Sequence, residues 1–486
     1  MSRYRPLNER IKDYLPVELR LTSEELQKEL KRCQDCGIPF CHAAGCPLAN
    51  LIPEIHADAL SGRWESALAR LLATSPFPEF TARVCPALCE GSCVQALNEE
   101  PVPARLTELE VIERGFAQGL LKPRKPLEAL PLSVGVVGSG PSGLAAAYYL
   151  SRAGASVTVY EKDKSPGGFL RYGIPDFKLE KSVIDRRISL MRREGVVFQT
   201  EVEAGLDISP RLLFKRHQAV ILALGARRKR DLPIPGRELI GVHFATDYLS
   251  AQNRLVAGEI SEIAPDLLAA GKSVVVVGGG DTGSDCVGTA LRQGAASVVQ
   301  IEILPKPPAE RAPDNPWPQW PRILRTTSSH LEGGERKWAV GTAEFLPNIE
   351  KSGFLGALSC HEVEWEEENG RLIKPVPVKG TDFVIKADLA LLAMGFTGVE
   401  SGPLCPDGSA KPDARGRLSK GRYVCGDAAS GPSLVVRAMA DGLKVAESIL
   451  EDFLKGELSA GAGQNAHLAE AALSQGAARG APANPA

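Results

Sequence analysis

The stretch Leu132-Ser-Val-Gly-Val-Val-Gly-Ser-Gly-Pro-Ser-Gly143 joins a short apolar, β-branched run to the glycine pattern GxGxxG, and an apolar helix pattern follows. In such a strand–turn–helix unit, Gly138 permits the tight turn, Gly140 lets a pyrophosphate approach the backbone, and Gly143 lets helix and strand pack closely. Glu161 ends the next apolar run, 18 residues after Gly143, where a carboxylate can accept a hydrogen bond from a ribose hydroxyl. Strand, helix and acidic residue in this order predict a dinucleotide-binding fold.

The same order of features recurs later in the chain. Gly278-Gly-Gly-Asp-Thr-Gly283 follows the apolar run Val274–Val277, and Glu302 lies 19 residues after Gly283. Two complete fingerprints in one chain predict two dinucleotides, one of them FAD and the other a nicotinamide donor. We predict these residues at the nicotinamide site: Gly278, Gly280, Asp281, Thr282, Gly283 and Glu302.

The choice between the two nicotinamide cofactors depends on the side chains around Glu302. A carboxylate there hydrogen-bonds a 2′-hydroxyl and repels a 2′-phosphate, which leans slightly toward NADH. Arg292, Lys306 and Arg311 lie near enough in sequence for one of them to neutralise a phosphate. The sequence therefore leaves NADPH and NADH both open.

Features downstream of the first fingerprint favour FAD at that fold. Gly167-Gly168 and Tyr172-Gly-Ile-Pro175 follow it, and Gly426-Asp427 precedes a helix pattern that starts at about Pro432. An aspartate in that place can bind a ribityl or pyrophosphate oxygen, and the positive end of the helix stabilises an anionic reduced flavin. The residues predicted at the FAD site are Gly138, Gly140, Pro141, Gly143, Glu161, Gly168, Gly426 and Asp427.

Seven of the eleven cysteines crowd into a short part of the chain, as Cys33-x2-Cys36-x4-Cys41-x4-Cys46 and Cys85-x3-Cys89-x3-Cys93. In a reducing compartment this pattern predicts metal ligation. An iron–sulfur cluster takes about four ligands, so seven thiolates are one short of two clusters. We therefore expect a non-cysteine eighth ligand, for which a carboxylate is the nearest substitute.

Zinc is the alternative metal. It favours paired Cys-x2-Cys ligands, a spacing that only Cys33 and Cys36 have, and His42 and His56 are near enough to complete a site. The remaining cysteines, Cys286, Cys360, Cys405 and Cys425, are isolated and are expected to be ordinary buried thiols.

Composition describes a globular protein without a strong global charge. Hydrophobic residues make up 44% of the 486 residues, and 57 Lys and Arg nearly balance 59 Asp and Glu. No field draws such a chain to nucleic acid or to an anionic membrane. The N-terminus lacks the apolar core of a signal peptide, and no run approaches the roughly 18 apolar residues of a membrane span, so we expect a cytoplasmic location.

Together these motifs resemble the small (beta) subunits of glutamate synthases, over about Arg32 to Leu450. The most specific stretches are Cys33 to Pro47, Phe80 to Cys93, Asp281 to Ala290, and Asn315-Pro-Trp-Pro-Gln-Trp-Pro-Arg322. The cysteine pattern and twin fingerprints resemble a wider family of electron-input modules, which includes the N-terminal part of dihydropyrimidine dehydrogenase. The tryptophan–proline stretch resembles glutamate synthases in particular; its aromatic side chains can cap a nucleotide pocket or dock a partner, or it is a packed surface loop.

The resemblance implies two 4Fe-4S clusters. Cys33, Cys36, Cys41 and Cys93 would hold one, and Cys46, Cys85 and Cys89 the other. The eighth ligand would be Glu108, with Glu110 as the second choice.

The resemblance also implies the reaction. NADPH or NADH reduces FAD, and electrons pass through the clusters to FMN on a large (alpha) subunit, which makes glutamate from glutamine and 2-oxoglutarate. No catalytic residue beyond the cofactors is implied. The alternative is the same module serving another acceptor, such as ferredoxin or a dihydropyrimidine-type site.

The expected fold is α/β, with an α-helical iron–sulfur domain followed by two Rossmann-like domains of the glutathione-reductase type. We predict a helical domain over 1–130, a discontinuous FAD domain over 131–250 and 396–455, and an NAD(P)H domain over 251–395. The segment 456–486 is rich in Ala, Gly and Ser and is expected to be disordered.

Overall fold

A computed structural model describes residues 3–368 and 370–458 of the chain, so most of the tail predicted to be disordered lies outside the described residues. The helices in this part are α1 (Leu7–Arg10), α2 (Ser23–Leu30), α3 (Ile52–Leu60), α4 (Trp64–Thr74), α5 (Pro78–Val84), α6 (Leu88–Gly91), α7 (Ala104–Ala117), α8 (Pro141–Arg152), α9 (Phe169–Tyr172), α10 (Lys181–Arg193), α11 (Pro210–Arg216), α12 (Ala245–Val256), α13 (Asp281–Arg292), α14 (Ser328–Glu332), α15 (Asp427–Ser430) and α16 (Val435–Leu454). No helix within these ranges is long and apolar enough to span a bilayer.

The strands over the same residues are β1 (Ser133–Val137), β2 (Ser156–Tyr160), β3 (Val197–Gln199), β4 (Ala219–Leu222), β5 (Arg228–Lys229), β6 (Val242–Phe244), β7 (Ser273–Val277), β8 (Ser297–Glu302), β9 (Glu335–Trp338), β10 (Val340–Pro347), β11 (Leu355–Glu368), β12 (Arg371–Pro377), β13 (Phe383–Lys386), β14 (Leu389–Leu392), β15 (Phe396–Gly398), β16 (Arg417–Ser419) and β17 (Arg422–Val424). Helices dominate the N-terminal part, and parallel sheets begin at β1. This is the α/β class that the sequence predicts.

The first helices are built by local sequence signals. Thr22 caps α2: its hydroxyl accepts from the Glu25 N–H at 3.2 Å, and the Glu25 carboxylate accepts from the Thr22 N–H at 2.9 Å. The buried face of α2 carries Leu26 and Leu30, which pack on α3, α4 and α7. A π-helical turn over Cys41–Gly45 and a 3₁₀ turn over Val94–Leu97 interrupt the cysteine-rich loops.

The helical part packs directly on the first nucleotide sheet. Phe77 and Phe80, fully buried, share one apolar core with Val134 and Val136 of β1. Burying side chains of this size stabilises the folded state by about 1.5–3 kcal/mol each. The two parts therefore form one packed body and not two tethered ones.

The first sheet has the strand order β16-β17-β4-β1-β2-β3 and is parallel except for the β16–β17 pair. The late strand β17 pairs with β4 through Val424 and Leu222, so the chain returns to this sheet after the second domain. The first nucleotide domain is therefore discontinuous, as predicted.

The second sheet is parallel throughout, with the order β6-β14-β7-β8-β9. Its first strand, β6, lies at Val242–Phe244, before the boundary expected at 250. This short strand was not recognised in the sequence, because three residues are too few to show a periodic pattern.

Four antiparallel strands, β10 to β13, form an insertion in the second domain between β9 and β14. The sequence did not predict these four strands. The central strand of the insertion, β11, is 14 residues long and carries charged side chains on one face, as in Glu362, Glu364 and Glu366.

Candidate cofactor sites

The first fingerprint forms a tight turn between β1 and α8. Gly138 has φ of 100°, and a Cβ atom on Gly138 or Gly143 would lie closer than 3.0 Å to a backbone oxygen. Apart from its chain neighbours, no described residue has a heavy atom within 4 Å of the Cβ position at Gly140. The turn therefore needs its first and third glycines for packing and leaves open space at the second, which fits a pyrophosphate.

Glu161 is hydrogen-bonded to the fingerprint turn. Its carboxylate accepts from the Ser139 N–H at 3.0 Å, from the Ser139 hydroxyl, and from the Asp163 N–H at 2.9 Å. The Ser139 hydroxyl oxygen in turn accepts from the Gly167 N–H at 2.9 Å. These bonds bring Gly168 beside Gly140, to whose Cα atom a Cβ on Gly168 would approach to 2.9 Å.

The return segment closes the same site. Gly426, with φ of 67°, donates its N–H to Asp441 at 2.6 Å, and a Cβ on Gly426 would clash with the Ser142 side chain of α8. Burial raises the pKa of Asp427, whose carboxylate accepts from the Ser433 hydroxyl at 2.8 Å. The structure thus brings together residues that the sequence predicts at an FAD site.

The long helix after this turn starts later than predicted. It begins at Val435 and not at about Pro432, because Leu434 is extended, with ψ of 147°. The Ser433 N–H, held by Asp427 at 3.1 Å, keeps this segment out of the helix.

The second fingerprint repeats the first. Gly278 has φ of 123°, and Cβ atoms on Gly278 or Gly283 would meet backbone oxygens closer than 3.0 Å. A Cβ on Gly280 would have no atom of a described residue within 4 Å, its chain neighbours excepted. Asp281 and Thr282 open α13 at this turn.

Two glycine-ended segments connect the domains. The carbonyl oxygens of Ala223 and Ala393 lie against Gly138 and Gly278, the first glycines of the two fingerprints. The residues that follow pair as the two-stranded β5–β15 sheet. These segments, 223–226 and 393–396, therefore pass close to the two fingerprint turns.

Glu302 ends β8, and both of its carboxylate oxygens have backbone partners. One accepts from the Gly279 N–H at 2.6 Å and the other from the Leu304 N–H at 2.9 Å. Its pairing partner on the neighbouring strand β9 is Trp338. The Lys306 amine lies 5.2 Å from the centre of that indole ring, and the Arg336 guanidinium 4.8 Å from it.

The three basic residues considered for a phosphate separate in the structure. Arg292 is fully buried in an ion pair with Glu332, and Arg311 donates to the carbonyl oxygens of Gln319 at 2.7 Å and Gly91 at 3.0 Å. Of the three, only Lys306 lies beside Trp338, the residue of β9 that pairs with Glu302. Arg336, two residues before Trp338, was missed because its position beside β8 depends on strand pairing.

Two cavities in the helical domain gather the seven clustered cysteines. The first is lined by Cys33, Cys36, Cys41, Cys89 and Cys93 together with His56 and Phe40. The second is lined by Cys46, Cys85, Cys89 and Glu108 together with Asn50 and Arg105. The first four-cysteine set named by the resemblance meets at one cavity, and the second set meets at the other with Glu108.

Glu108 and Glu110 lie in different surroundings. Glu108 is buried on α7, and desolvation raises its pKa to about 7, opposed by a hydrogen bond from the Asn50 amide at 2.8 Å. Glu110 pairs with Arg20 at 2.6 Å and with Arg114, and it lines neither cavity. Of the two carboxylates, only Glu108 lines a cysteine cavity, and it forms no ion pair with any described residue.

Burial favours the protonated form of three of the clustered thiols. Desolvation raises the pKa of Cys41 and of Cys46 to about 12 and that of Cys89 well above the ordinary value. A bound cation replaces such protons and couples its own binding to folding. Among residues 3–368 and 370–458, no three His, Cys, Asp or Glu side chains converge on one point as ligands of a single ion. The four isolated cysteines are buried, as predicted.

The tryptophan–proline segment covers the loop that carries Cys93. The Trp317 indole N–H donates to the Cys93 carbonyl at 3.3 Å, and its ring lies 4.6 Å from that of Phe40. Trp320 packs on Gly91, where a Cβ atom would lie 2.8 Å from the indole. The segment thus links the second nucleotide domain to the first cysteine cavity.

Comparisons with known proteins agree with this arrangement. A family model described as dihydropyrimidine dehydrogenase domain II, 4Fe-4S cluster, matches residues 10–118, and one described as pyridine nucleotide-disulphide oxidoreductase matches 132–315. The glutamate synthase [NADPH] small chain of Mycobacterium tuberculosis is 45% identical over 94% of both chains. This chain belongs to the glutamate synthase small-chain family. It is an NAD(P)H-dependent oxidoreductase with a 4Fe-4S domain.

Other members of the family extend the match. The small chain of Bacillus subtilis is 40% identical over 90% of this chain and 93% of its own length. Glutamate synthase [NADH] of Saccharomyces cerevisiae is 41% identical over 90% of this chain, which spans 21% of the yeast protein. Among solved structures, the oxidoreductase FprA of Mycobacterium tuberculosis has a TM-score of 0.54 at 20% identity, over 72% of this chain and 91% of its own. That likeness supports the fold of the two nucleotide domains.

Proposed function

We propose that this chain is the electron-input subunit of a glutamate synthase, working with a large subunit that carries FMN. The observation that carries the proposal is the pair of cysteine-lined cavities beside two dinucleotide folds. The small-chain relatives, which match almost end to end, support the same role. When bound, FAD accepts hydride from a nicotinamide and iron–sulfur clusters pass electrons singly.

We propose that each cavity holds one 4Fe-4S cluster. Cys33, Cys36, Cys41 and Cys93 would be the ligands in the first. Cys46, Cys85, Cys89 and Glu108 would be the ligands in the second, and the Asn50 amide orients the Glu108 carboxylate. The donor set of soft thiolates and one buried carboxylate fits iron.

In the two nucleotide sites, backbone and side-chain groups of this chain would bind and orient the dinucleotides. The N-termini of α8 and α13 direct backbone N–H groups at the pyrophosphates, and the open positions at Gly140 and Gly280 admit them. Asp427 presents a carboxylate to the FAD side, where Gly168 and Gly426 keep the backbone close.

We propose NADPH as the donor. Both carboxylate oxygens of Glu302 accept hydrogen bonds from backbone N–H groups, so the negative charge of this side chain is partly offset. Lys306 and Arg336 flank Trp338 at the same edge, and neither forms an ion pair with a carboxylate within the described residues. Two such cations can bind a 2′-phosphate, in line with the cofactor in the names of the Mycobacterium and Bacillus relatives.

Reconstitution tests the function. The purified chain is mixed anaerobically with a glutamate synthase large chain, glutamine, 2-oxoglutarate and NADPH, and glutamate is measured. We expect glutamate only when both chains and NADPH are present. If the chain oxidises NADPH when ferredoxin is supplied as the acceptor, and the mixture with the large chain forms no glutamate, the large chain is not its acceptor. That result would favour the alternative module.

A further inference from the structure

His56 is a buried polar side chain in the wall of the first cavity. It lies in α3 and is 3% exposed. Gln34 and Gln95, the other polar residues besides cysteine that line this cavity, are exposed and half-buried, respectively. His56 is thus the one buried side chain among these three polar residues of the cavity wall.

The ring is not satisfied by the protein around it. Its Nδ1 atom is buried and has no hydrogen-bond partner within the described residues. A buried polar group without a partner destabilises the folded state. Asn50, the corresponding buried polar side chain at the second cavity, has both of its amide atoms paired, with Glu108 at 2.8 Å and Thr74 at 2.7 Å.

We propose that the His56 imidazole donates a hydrogen bond to the iron–sulfur cluster of the first cavity and raises the reduction potential of that cluster. The inference rests on the proposed function, which places a cluster there. Imidazole carries at least one N–H in either charge state. A donor directed at cluster sulfur stabilises the added negative charge of the reduced form, and such bonds are among the factors that set cluster potentials.

The test is a redox titration of the holoprotein followed by the electron paramagnetic resonance of each reduced cluster. His56→Phe keeps a flat ring and removes the N–H, and His56→Asn keeps an N–H donor. We expect a more negative potential for the first cluster in His56→Phe, by about 59 mV for a tenfold change in the one-electron equilibrium. His56→Asn should recover most of that shift, and the second cluster in the same molecule is the internal control.

The outcomes separate this inference from the proposed function. Wild-type protein without iron would contradict the proposed function itself. Full iron content with an unchanged potential in His56→Phe, or an equal shift in both clusters, would overturn the role of His56 alone. If His56→Phe fails to retain its cluster, His56→Leu is titrated in its place, and the same two results decide.

Discussion

At the scale of single residues, Glu108 and Glu110 show how two carboxylates on one helix acquire different tasks. Glu108 lies in a cavity with three cysteines, whereas Glu110 pairs with two arginines. Sequence alone separated them only by resemblance, because both are acidic and two positions apart. Glu108 lies on the side of α7 that faces the thiols and Glu110 does not, and this difference decides which of the two can be a ligand.

We predict that Glu108→Ala loses the second cluster, because a site of three thiolates lacks its fourth ligand. Iron content should fall from about eight to about four atoms per chain, measured by chemical analysis of anaerobic protein. Glu110→Ala is the matched control on the same helix and should keep its iron. Full iron in Glu108→Ala would show that another group is the ligand.

Lys306 and Arg336 carry the second prediction at this scale. Removing either side chain should raise the KM for NADPH by about tenfold, since one hydrogen bond to a charged group contributes about 1.5 kcal/mol or more. The KM for NADH, measured with the same variant, should change little. An equal rise for both cofactors would indicate a general distortion of the site and not a lost phosphate contact.

At the scale of elements, the strand–turn–helix units could be predicted closely and the antiparallel insertion could not. Strand β7 lies where its apolar run predicts, and α8 begins at Pro141, directly after the glycine turn. These units rest on local rules of turn geometry and periodicity. In contrast, the placement of β6 and of Arg336 depends on pairing between distant strands, which leaves little local signal.

The sites divide in the same way. The spacing of the cysteines predicted metal ligation, but their division between two cavities entered only through resemblance, since Cys93 meets Cys33 through the fold. His56 was considered only as a zinc ligand. Its burial against the first cavity is a tertiary property that no motif expresses.

The third glycines of the two fingerprints, Gly143 and Gly283, give a matched pair of predictions, one for each nucleotide site. A Cβ atom on Gly143 or on Gly283 would clash with the backbone of its own turn. Gly143→Ala should purify with less than a tenth of the FAD of the wild type, a loss of more than about 1.4 kcal/mol in binding. Gly283→Ala should keep FAD, read from its absorbance, but should no longer be reduced by NADPH. Loss of FAD in both variants would argue against separate sites.

At the scale of the whole molecule, buried ion pairs join the helical domain to the nucleotide domains. Arg187 of α10 and Glu79 of α5 have fully buried side chains and pair at 2.5 Å. Near the N-terminus, Arg10 pairs with Glu332 at 3.0 Å in the second nucleotide domain. The cysteine cavities are therefore held at a fixed place beside the first nucleotide fold.

We predict that Arg187→Met destabilises the protein by about 3–5 kcal/mol, because it leaves the Glu79 charge buried and unpaired. The measurement is the urea midpoint of unfolding. Glu79→Leu combined with Arg187→Met should recover most of the loss, since no charge then remains. Arg322→Ala, which breaks an exposed pair with Asp314, should shift the midpoint little.

The central claim is that two cysteine-lined cavities hold iron–sulfur clusters beside a bound flavin. Its most direct test is the metal, acid-labile sulfide and flavin content of the anaerobically purified chain. We expect about eight iron atoms, about eight sulfides and about one FAD per chain, four of each inorganic atom for each cluster. Zinc at these thiols, with neither iron nor sulfide, would contradict the account.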